Sequence, residues 1–248
     1  MIEITGLKKS FGEKKVLDGV ELKVESGKIT VIIGRSGEGK SVLLKHIIGL
    51  LKPDSGVIKL DGEDITSMGE REFTEVLKRF GMLFQGSALF DSMTVAENVG
   101  FALAEHTRLG PDEIRERVAQ KLKEVGLEGA ELMMPADLSG GMKKRVGLAR
   151  AIIMDPEIVL FDEPTTGLDP IMSDSVANMI LETQRERKTT YFVITHDILL
   201  TEKIADNVAM LHEGRIIEEG SPEELRENPN PILRQFLEGR AEGPIAVN

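Results

Sequence analysis

Apolar and polar positions alternate with period two near the start of the chain. Ile2 and Ile4, then Val20, Leu22 and Val24, mark residues 2–33 as strands with one face buried. Gly27 turns the chain into Val31-Ile32-Ile33, an unbroken β-branched run of the kind covered on both faces in a parallel sheet. A glycine-rich stretch, Gly34-Arg35-Ser36-Gly37-Glu38-Gly39-Lys40-Ser41, follows. Val42-Leu43-Leu44-Lys45-His46-Ile47-Ile48 then predicts a helix that must stop before Pro53. Val57-Ile58-Lys59-Leu60 before Asp61-Gly62 reads as strand and turn, 70–79 as a charged amphipathic helix, and Gly81-Met82-Leu83-Phe84-Gln85 as a buried strand ending in glutamine.

Beyond Gly86 the period lengthens. Helices are expected over 94–105 and 111–125. In the second, Ile114, Val118, Leu122 and Val125 share a face, with Pro111 early and Gly126 just past the end. Ser139-Gly140-Gly141-Met142 opens another helix with a buried stripe of Met142, Val146, Ala149 and Ile153, closed by Pro156. Ile158-Val159-Leu160-Phe161 is a second parallel-type strand, and Asp162-Glu163-Pro164 sits at its C-terminal end. A helix over 174–187 precedes the apolar strand 191–195, whose tip carries His196-Asp197. Val208–Leu211 and Arg215–Glu218 flank Glu213-Gly214 as a hairpin, and Ser221-Pro222-Glu223-Glu224 is a capping box. The tail 238–248 has no period. The chain reads as a single α/β domain: a core of 1–85 and 158–220 with an N-terminal β portion, a helical subdomain at 86–157, and C-terminal helices and tail at 221–248.

Composition narrows the functions. The 248 residues are enough for a sizeable core, and a net charge of −11 is the wrong sign for a nucleic-acid surface. Without cysteine there is neither disulfide nor thiolate chemistry. Met1-Ile2-Glu3-Ile4-Thr5 does not begin a signal peptide, and no apolar run approaches the roughly 20 residues of a spanning helix. A membrane role would therefore pass through a partner.

Three predicted strand ends carry groups suited to a nucleotide, where parallel sheets bind their ligands. Gly34–Ser41 has the G-x-x-x-x-G-K-[ST] form between strand and helix. Its glycines let backbone N–H groups approach phosphate oxygens, and the new helix adds its positive end. Lys40 would reach the β- and γ-phosphates and Ser41 would ligate Mg²⁺. Asp162 would hold Mg²⁺ through water, and Glu163 would polarise the attacking water. Gln85 would join the Mg²⁺ shell, and His196 would hydrogen-bond the γ-phosphate. Ser139-Gly140-Gly141 offers a second anion cradle at a helix start. Two cradles in one chain imply that each nucleotide is held between two subunits.

Over nearly its whole length the chain resembles the ATP-binding subunits of ABC transporters. Gly34–Ser41 matches the Walker A loop and Gln85 the Q-loop. Leu138-Ser139-Gly140-Gly141-Met142 matches the signature loop, and Ile158–Glu163 the Walker B strand. Gly167-Leu168-Asp169 matches the D-loop and His196 the H-loop. The resemblance implies a P-loop NTPase with a RecA-like core, an antiparallel β portion and a helical subdomain, with ATP as substrate and Mg²⁺ as cofactor. It makes Glu163, His196 and Lys40 the catalytic residues. Phe11 would stack on adenine, and Val16, Arg35, Ser36, Gly37, Glu38, Gly39, Val42 and Asp169 would complete the nucleotide contacts. It also implies a head-to-tail dimer in which Ser139, Gly140 and Gly141 serve the opposite chain's ATP.

Met142 in place of the usual signature glutamine, the stretch Phe84–Asp91, Glu105-His106-Thr107 and the tail from Phe236 to Ile245 are similar to the Mla-type phospholipid transport ATPases. That resemblance implies integral permease subunits, an MCE-domain lipid-binding protein and a place on the cytoplasmic face of a bacterial inner membrane. An importer ATPase for amino acids or other small polar solutes is the alternative. A soluble ABC protein would carry coiled coils or two fused halves, which this chain lacks. Further expectations concern particular segments. Glu38, a carboxylate inside the phosphate loop, should point to solvent or a partner. Ala88, Leu89, Phe90, Met93, Val95 and Val99 should be divided between core and a groove for a permease helix, with a hinge at Gln85-Gly86. The tail 238–248 should contact the neighbouring subunit.

Overall fold

The computed structural model describes residues 1–246. In chain order the strands and helices are β1 (Ile2–Phe11), β2 (Lys14–Val24), β3 (Ile29–Ile33), α1 (Lys40–Ile47), β4 (Ser55–Leu60), β5 (Glu63–Asp64), α2 (Glu70–Leu77), β6 (Phe80–Leu83), α3 (Val95–His106), α4 (Pro111–Glu124), α5 (Gly140–Ile152), β7 (Ile158–Asp162), α6 (Pro170–Arg187), β8 (Thr190–Thr195), α7 (Ile198–Ile204), β9 (Asn207–His212), β10 (Arg215–Gly220), α8 (Pro222–Glu227) and α9 (Pro231–Glu238). A short 3-10 turn at Pro135–Asp137 precedes α5. The chain forms two compact units, one from residues 1–76 together with the segment from Phe192 onward, the other from 77–191.

In the first unit the period-two pattern becomes an antiparallel sheet in the order β2-β1-β4-β5. Ile2 lies opposite Val24 on one side and Leu60 on the other, so the buried residues of three strands share a face. A second sheet runs β10-β9-β3-β8. Every residue of β3 is buried, and it pairs in parallel with β9, Val31 facing Val208. The hairpin β9–β10 turns through Glu213 and Gly214, both with positive φ (45° and 75°). That turn joins the two sheets: Asp18 N–H donates to the Gly214 carbonyl at 2.8 Å, and Arg215 pairs with Asp18 at 2.7 Å.

In the second unit β6 and β7 are parallel, with Met82 opposite Leu160. Helix α5 lies so close to β6 that a Cβ at Gly81 would come within 2.0 Å of the Ala151 carbonyl oxygen. Thr94 and Glu97 close α3 with a reciprocal capping box. Behind β7, Arg187 reaches Glu124 at 2.6 Å and Lys121 reaches Asp155 at 2.8 Å. Tyr191 donates to Thr183 Oγ1 at 3.1 Å, and burial pushes its hydroxyl pKa up to about 12.

Some expected boundaries move. β6 stops at Leu83, so Gln85 lies beyond the strand rather than at its end. α6 begins at Pro170, earlier than 174, because the Asp169 carboxylate accepts from both Ile171 N–H and Met172 N–H at 3.0 Å and proline suits the first helical position. The second unit takes in β6, β7 and α6 along with the helical stretch 86–157. Among the described residues no helix is long and apolar enough to cross a membrane.

Candidate functional site

The first unit supplies the phosphate loop. β3 delivers the chain at Gly34, where a Cβ would meet the Leu211 carbonyl oxygen at 2.4 Å. Gly39, with φ 105°, would collide with the Val16 carbonyl oxygen at 2.9 Å. Only glycine fits both places, and the loop between them is pressed against β9 and β2. Val16 therefore supports the loop from beneath. Lys40 is buried and donates to the carbonyls of Gly34 at 2.6 Å and Arg35 at 3.1 Å, which folds the loop around its ammonium. Ser36 and Gly37 are exposed, and Ser41 and Val42 at the start of α1 are half-buried. The backbone N–H groups of a helix start and a loop with positive φ form a cradle that fits an anion.

Three other residues of this unit were expected at the same site. Phe11 is 49% exposed, with the Lys9 ammonium over its ring at 5.7 Å from the centre, so it is a surface aromatic and not a core one. His196 follows β8 and is exposed. With Arg35, Ser36, Ile198 and Phe236–Gly239 it lines an open cleft of about 580 Å³. Glu38 corrects an expectation. Its carboxylate turns inward, accepts from Glu213 N–H at 2.7 Å and lies 3.4 Å from His212 Nδ1. A charged acceptor on a short loop finds a backbone donor in the adjacent β9–β10 turn, so the carboxylate is engaged within its own chain and does not point to solvent.

The tail of this unit is ordered without being periodic. Gln235, buried on α9, accepts from Ile245 N–H at 2.7 Å and donates back to the Ile245 carbonyl at 3.1 Å. This amide clamp closes the tail into a loop and buries Ile245. Arg35 Nη1 then donates to the Ala246 carbonyl at 2.7 Å. Up to Ala246 the tail is therefore held on its own chain. Residues 247–248 lie outside the described residues.

The second unit supplies the acids and the signature loop. Asp162 ends β7, and Glu163 follows with φ 51°, a left-handed conformation that costs about 1 kcal/mol for a side-chain-bearing residue. Glu163 is 8% exposed, and its carboxylate accepts from Thr166 Oγ1 at 3.3 Å. Gln85 is exposed. Lys144, which the pattern along the helix did not single out, is 5% exposed, and its ammonium donates to the carbonyl oxygens of Gln85 and, at 3.3 Å, of Glu163. Burial pulls its pKa below the ordinary lysine value, partly offset by the charges of Asp162 and Glu163. The loop after Gln85 is pinned as well. Ser87 and Ala88 both have positive φ, and Arg150 donates to their carbonyls at 2.6 and 2.7 Å. Asn98 accepts from Phe90 N–H at 2.8 Å and donates to the Phe90 carbonyl at 3.1 Å.

Ser139 caps α5, its hydroxyl accepting from Met142 N–H at 3.3 Å, and both Ser139 and Gly140 are exposed. A Cβ on Gly140 would stand 3.2 Å from Leu168, and one on Gly141 would stand 2.0 Å from the Met172 methyl. The structure thus brings the signature loop against the stretch around Asp169. Within this unit it also groups Gln85, Lys144, Asp162 and Glu163 through the buried ammonium. Among the described residues no three His, Cys, Asp or Glu side chains gather as a metal site of their own. Each unit offers hard oxygen donors of the kind Mg²⁺ takes, Ser41 at the start of α1 in the first and Asp162 and Gln85 in the second.

A buried strand, a glycine loop folded on a lysine and an acid pair at the end of a parallel strand define a P-loop nucleoside triphosphatase. The particular family follows: the chain belongs to the ABC transporter family, whose model matches residues 17–166, and it is an ABC ATPase. It is 42% identical over 247 residues to the probable ribonucleotide transport ATP-binding protein mkl of Mycobacterium leprae, covering 100% of this chain and 71% of the relative. It is 42% identical over 245 residues to the intermembrane phospholipid transport system ATP-binding protein MlaF of Haemophilus influenzae, covering 99% and 93%. A dimeric ATP-binding cassette in a post-hydrolysis state bound to ADP and Pi superposes with a TM-score of 0.82 at 30% identity, covering 90% of this chain and 99% of that one.

Proposed function

We propose that this chain is the ATP-hydrolysing subunit of a transporter that moves phospholipid between membranes. It works as a homodimer docked on an integral permease, at the cytoplasmic face of a bacterial inner membrane, with an MCE-domain lipid-binding protein as a further partner. The cradle built on Gly34, Gly39 and buried Lys40 carries the nucleotide reading. Similarity spanning 93% of a phospholipid-transport ATPase supports the cargo.

In this reading Phe11 stacks on adenine, the N–H groups of residues 37–41 take phosphate oxygens, and Lys40 balances the β- and γ-phosphate charge. Val16, Arg35, Ser36, Glu38, Val42 and Asp169 shape the loop and its surroundings. Ser41, Gln85 and Asp162 would hold Mg²⁺, which neutralises phosphate charge when bound. Glu163 polarises a water whose oxygen attacks the γ-phosphorus. The bond from that phosphorus to the bridging oxygen breaks, ADP leaves, and the water's proton passes to phosphate. His196 donates a hydrogen bond to the γ-phosphate, and Ser139, Gly140 and Gly141 serve the ATP held by the other subunit of the dimer.

The name of the mycobacterial relative points to a different cargo, so the cargo is the part to test. Purification of the tagged chain from detergent-solubilised membranes should bring down a permease and an MCE-domain protein, and the reconstituted complex should transfer labelled phospholipid only with hydrolysable ATP. Copurification with a periplasmic solute-binding protein, and no lipid transfer, would replace phospholipid with a small polar solute.

A further inference from the structure

Helix α5 starts at the signature loop, yet Lys144, Arg145 and Arg150 point back into the unit. Lys144 places one ammonium on two carbonyls that are far apart in sequence, those of Gln85 and Glu163. Two turns further along the helix, Arg150 caps the carbonyls of Ser87 and Ala88. The backbone held in this way is unfavourable on its own, because Ser87, Ala88 and Glu163 all lie at positive φ. A buried ammonium is costly unless its donors are used, and those of Lys144 meet two carbonyls. The grip is also close-packed: a Cβ on Gly147 would come within 2.6 Å of the Leu83 side chain and 3.3 Å of that of Ser87, so α5 lies directly against the loop.

We propose that Lys144 is a positioning residue for ATP hydrolysis, holding the main chain of Glu163 and of Gln85 in one fixed relation to the signature helix. It does not touch the reacting atoms. Glu163 must aim its carboxylate at a water, and a carboxylate on a left-handed residue is aimed by its own backbone. Removing the ammonium releases the Glu163 carbonyl and the Gln85 carbonyl together, so the carboxylate and the Q-loop amide lose their common reference. The same link makes a displacement of Gln85 a displacement of α5, because both ends of the contact are main chain on one side and a short buried lever on the other. The inference rests on the reading of Glu163 as the residue that polarises water.

The test uses the full chain and compares Lys144→Met, which keeps the stem without the charge, with Lys144→Arg, which keeps charge and donors. Lys144→Met should lower kcat about 10- to 100-fold while KM for ATP and the affinity for a fluorescent ATP analogue stay within about twofold, since a misaimed group costs turnover before binding. Lys144→Arg should recover most of kcat. If Lys144→Met fails to fold, Lys144→Gln, with one uncharged and shorter donor, is read the same way. A wild-type kcat in the Met or Gln variant would overturn the proposal. So would parallel loss of kcat and nucleotide affinity that arginine does not rescue, which would mean a merely structural lysine. Glu163→Gln run alongside separates the two levels. If it hydrolyses ATP normally, the underlying reading of Glu163 fails. If it is inactive while Lys144→Met is fully active, only the positioning role fails.

Discussion

The carboxylate of Glu38 accepts the N–H of Glu213 at 2.7 Å, tying the middle of the phosphate loop to the turn between β9 and β10. A hydrogen bond to a charged, mostly buried acceptor contributes more than a neutral one. Glu38→Ala should therefore lower stability by about 1–2 kcal/mol, with Glu38→Gln losing less because its amide oxygen still accepts. Thermal unfolding of the three proteins checks this. Equal midpoints for alanine and wild type would show that the tether carries nothing.

The tail is fixed chiefly by the Gln235 amide, which holds Ile245 on both its N–H and its carbonyl. Gln235→Ala removes both hydrogen bonds to Ile245 and empties the space beside Gly243, where the Gln235 amide now packs. The expected outcome is a tail released from its own chain, seen as new protease cleavage after Glu238. The folded body should melt no more than about 1–3 kcal/mol less stably. An uncut tail in the variant would contradict the clamp.

Phe90 is the large exposed side chain of the apolar set that follows Gln85. It is 44% exposed, its ring 5.1 Å from that of Phe101, while Val95 and Val99 are buried in α3. Leu89 is half-buried, so Phe90 is the cleaner probe of the surface. Phe90→Arg should abolish permease capture in a pull-down and leave binding of an ATP analogue within about twofold. Normal capture by the folded variant would remove this surface from the docking site.

Acid sensitivity has a named contributor. Burial raises the carboxyl pKa of Asp155, but its hydrogen bonds to Lys121 and Arg187 and their charges outweigh that, and the net shift is downward from the ordinary carboxylate value. A depressed carboxylate pKa stabilises the fold above the unfolded-state value, and that stabilisation disappears as pH falls through the folded-state value. Asp155→Asn should be less stable than wild type at neutral pH, and the gap should close toward about pH 3. A gap independent of pH would assign the loss to packing.

Much of this architecture was legible in the sequence because strand, loop and helix signals agreed. The run Val31–Ile33 into Gly34–Ser41, the acid pair after 158–161, and the Ser139 and Ser221 caps all stand where local chemistry puts them. What was not legible depends on contacts distant in sequence. The apolar stripe of α5 says nothing of Lys144, which is buried only because Gln85 and Glu163 meet over one helix face. The tail has no apolar period, yet Gln235 and Arg35 hold it through its backbone groups, and Glu38 finds its donor in a turn far along the chain. The start of α6 at Pro170 was readable from Asp169-Pro170, a cap followed by a first-turn proline.

The most direct measurement is ATP turnover and ATP binding by Glu163→Gln in the transporter-assembled protein. The variant should bind ATP with wild-type affinity and hydrolyse it at least about 100-fold more slowly, because the substitution removes the carboxylate that polarises water and leaves the phosphate loop around Lys40 intact. Hydrolysis at the wild-type rate would contradict the account.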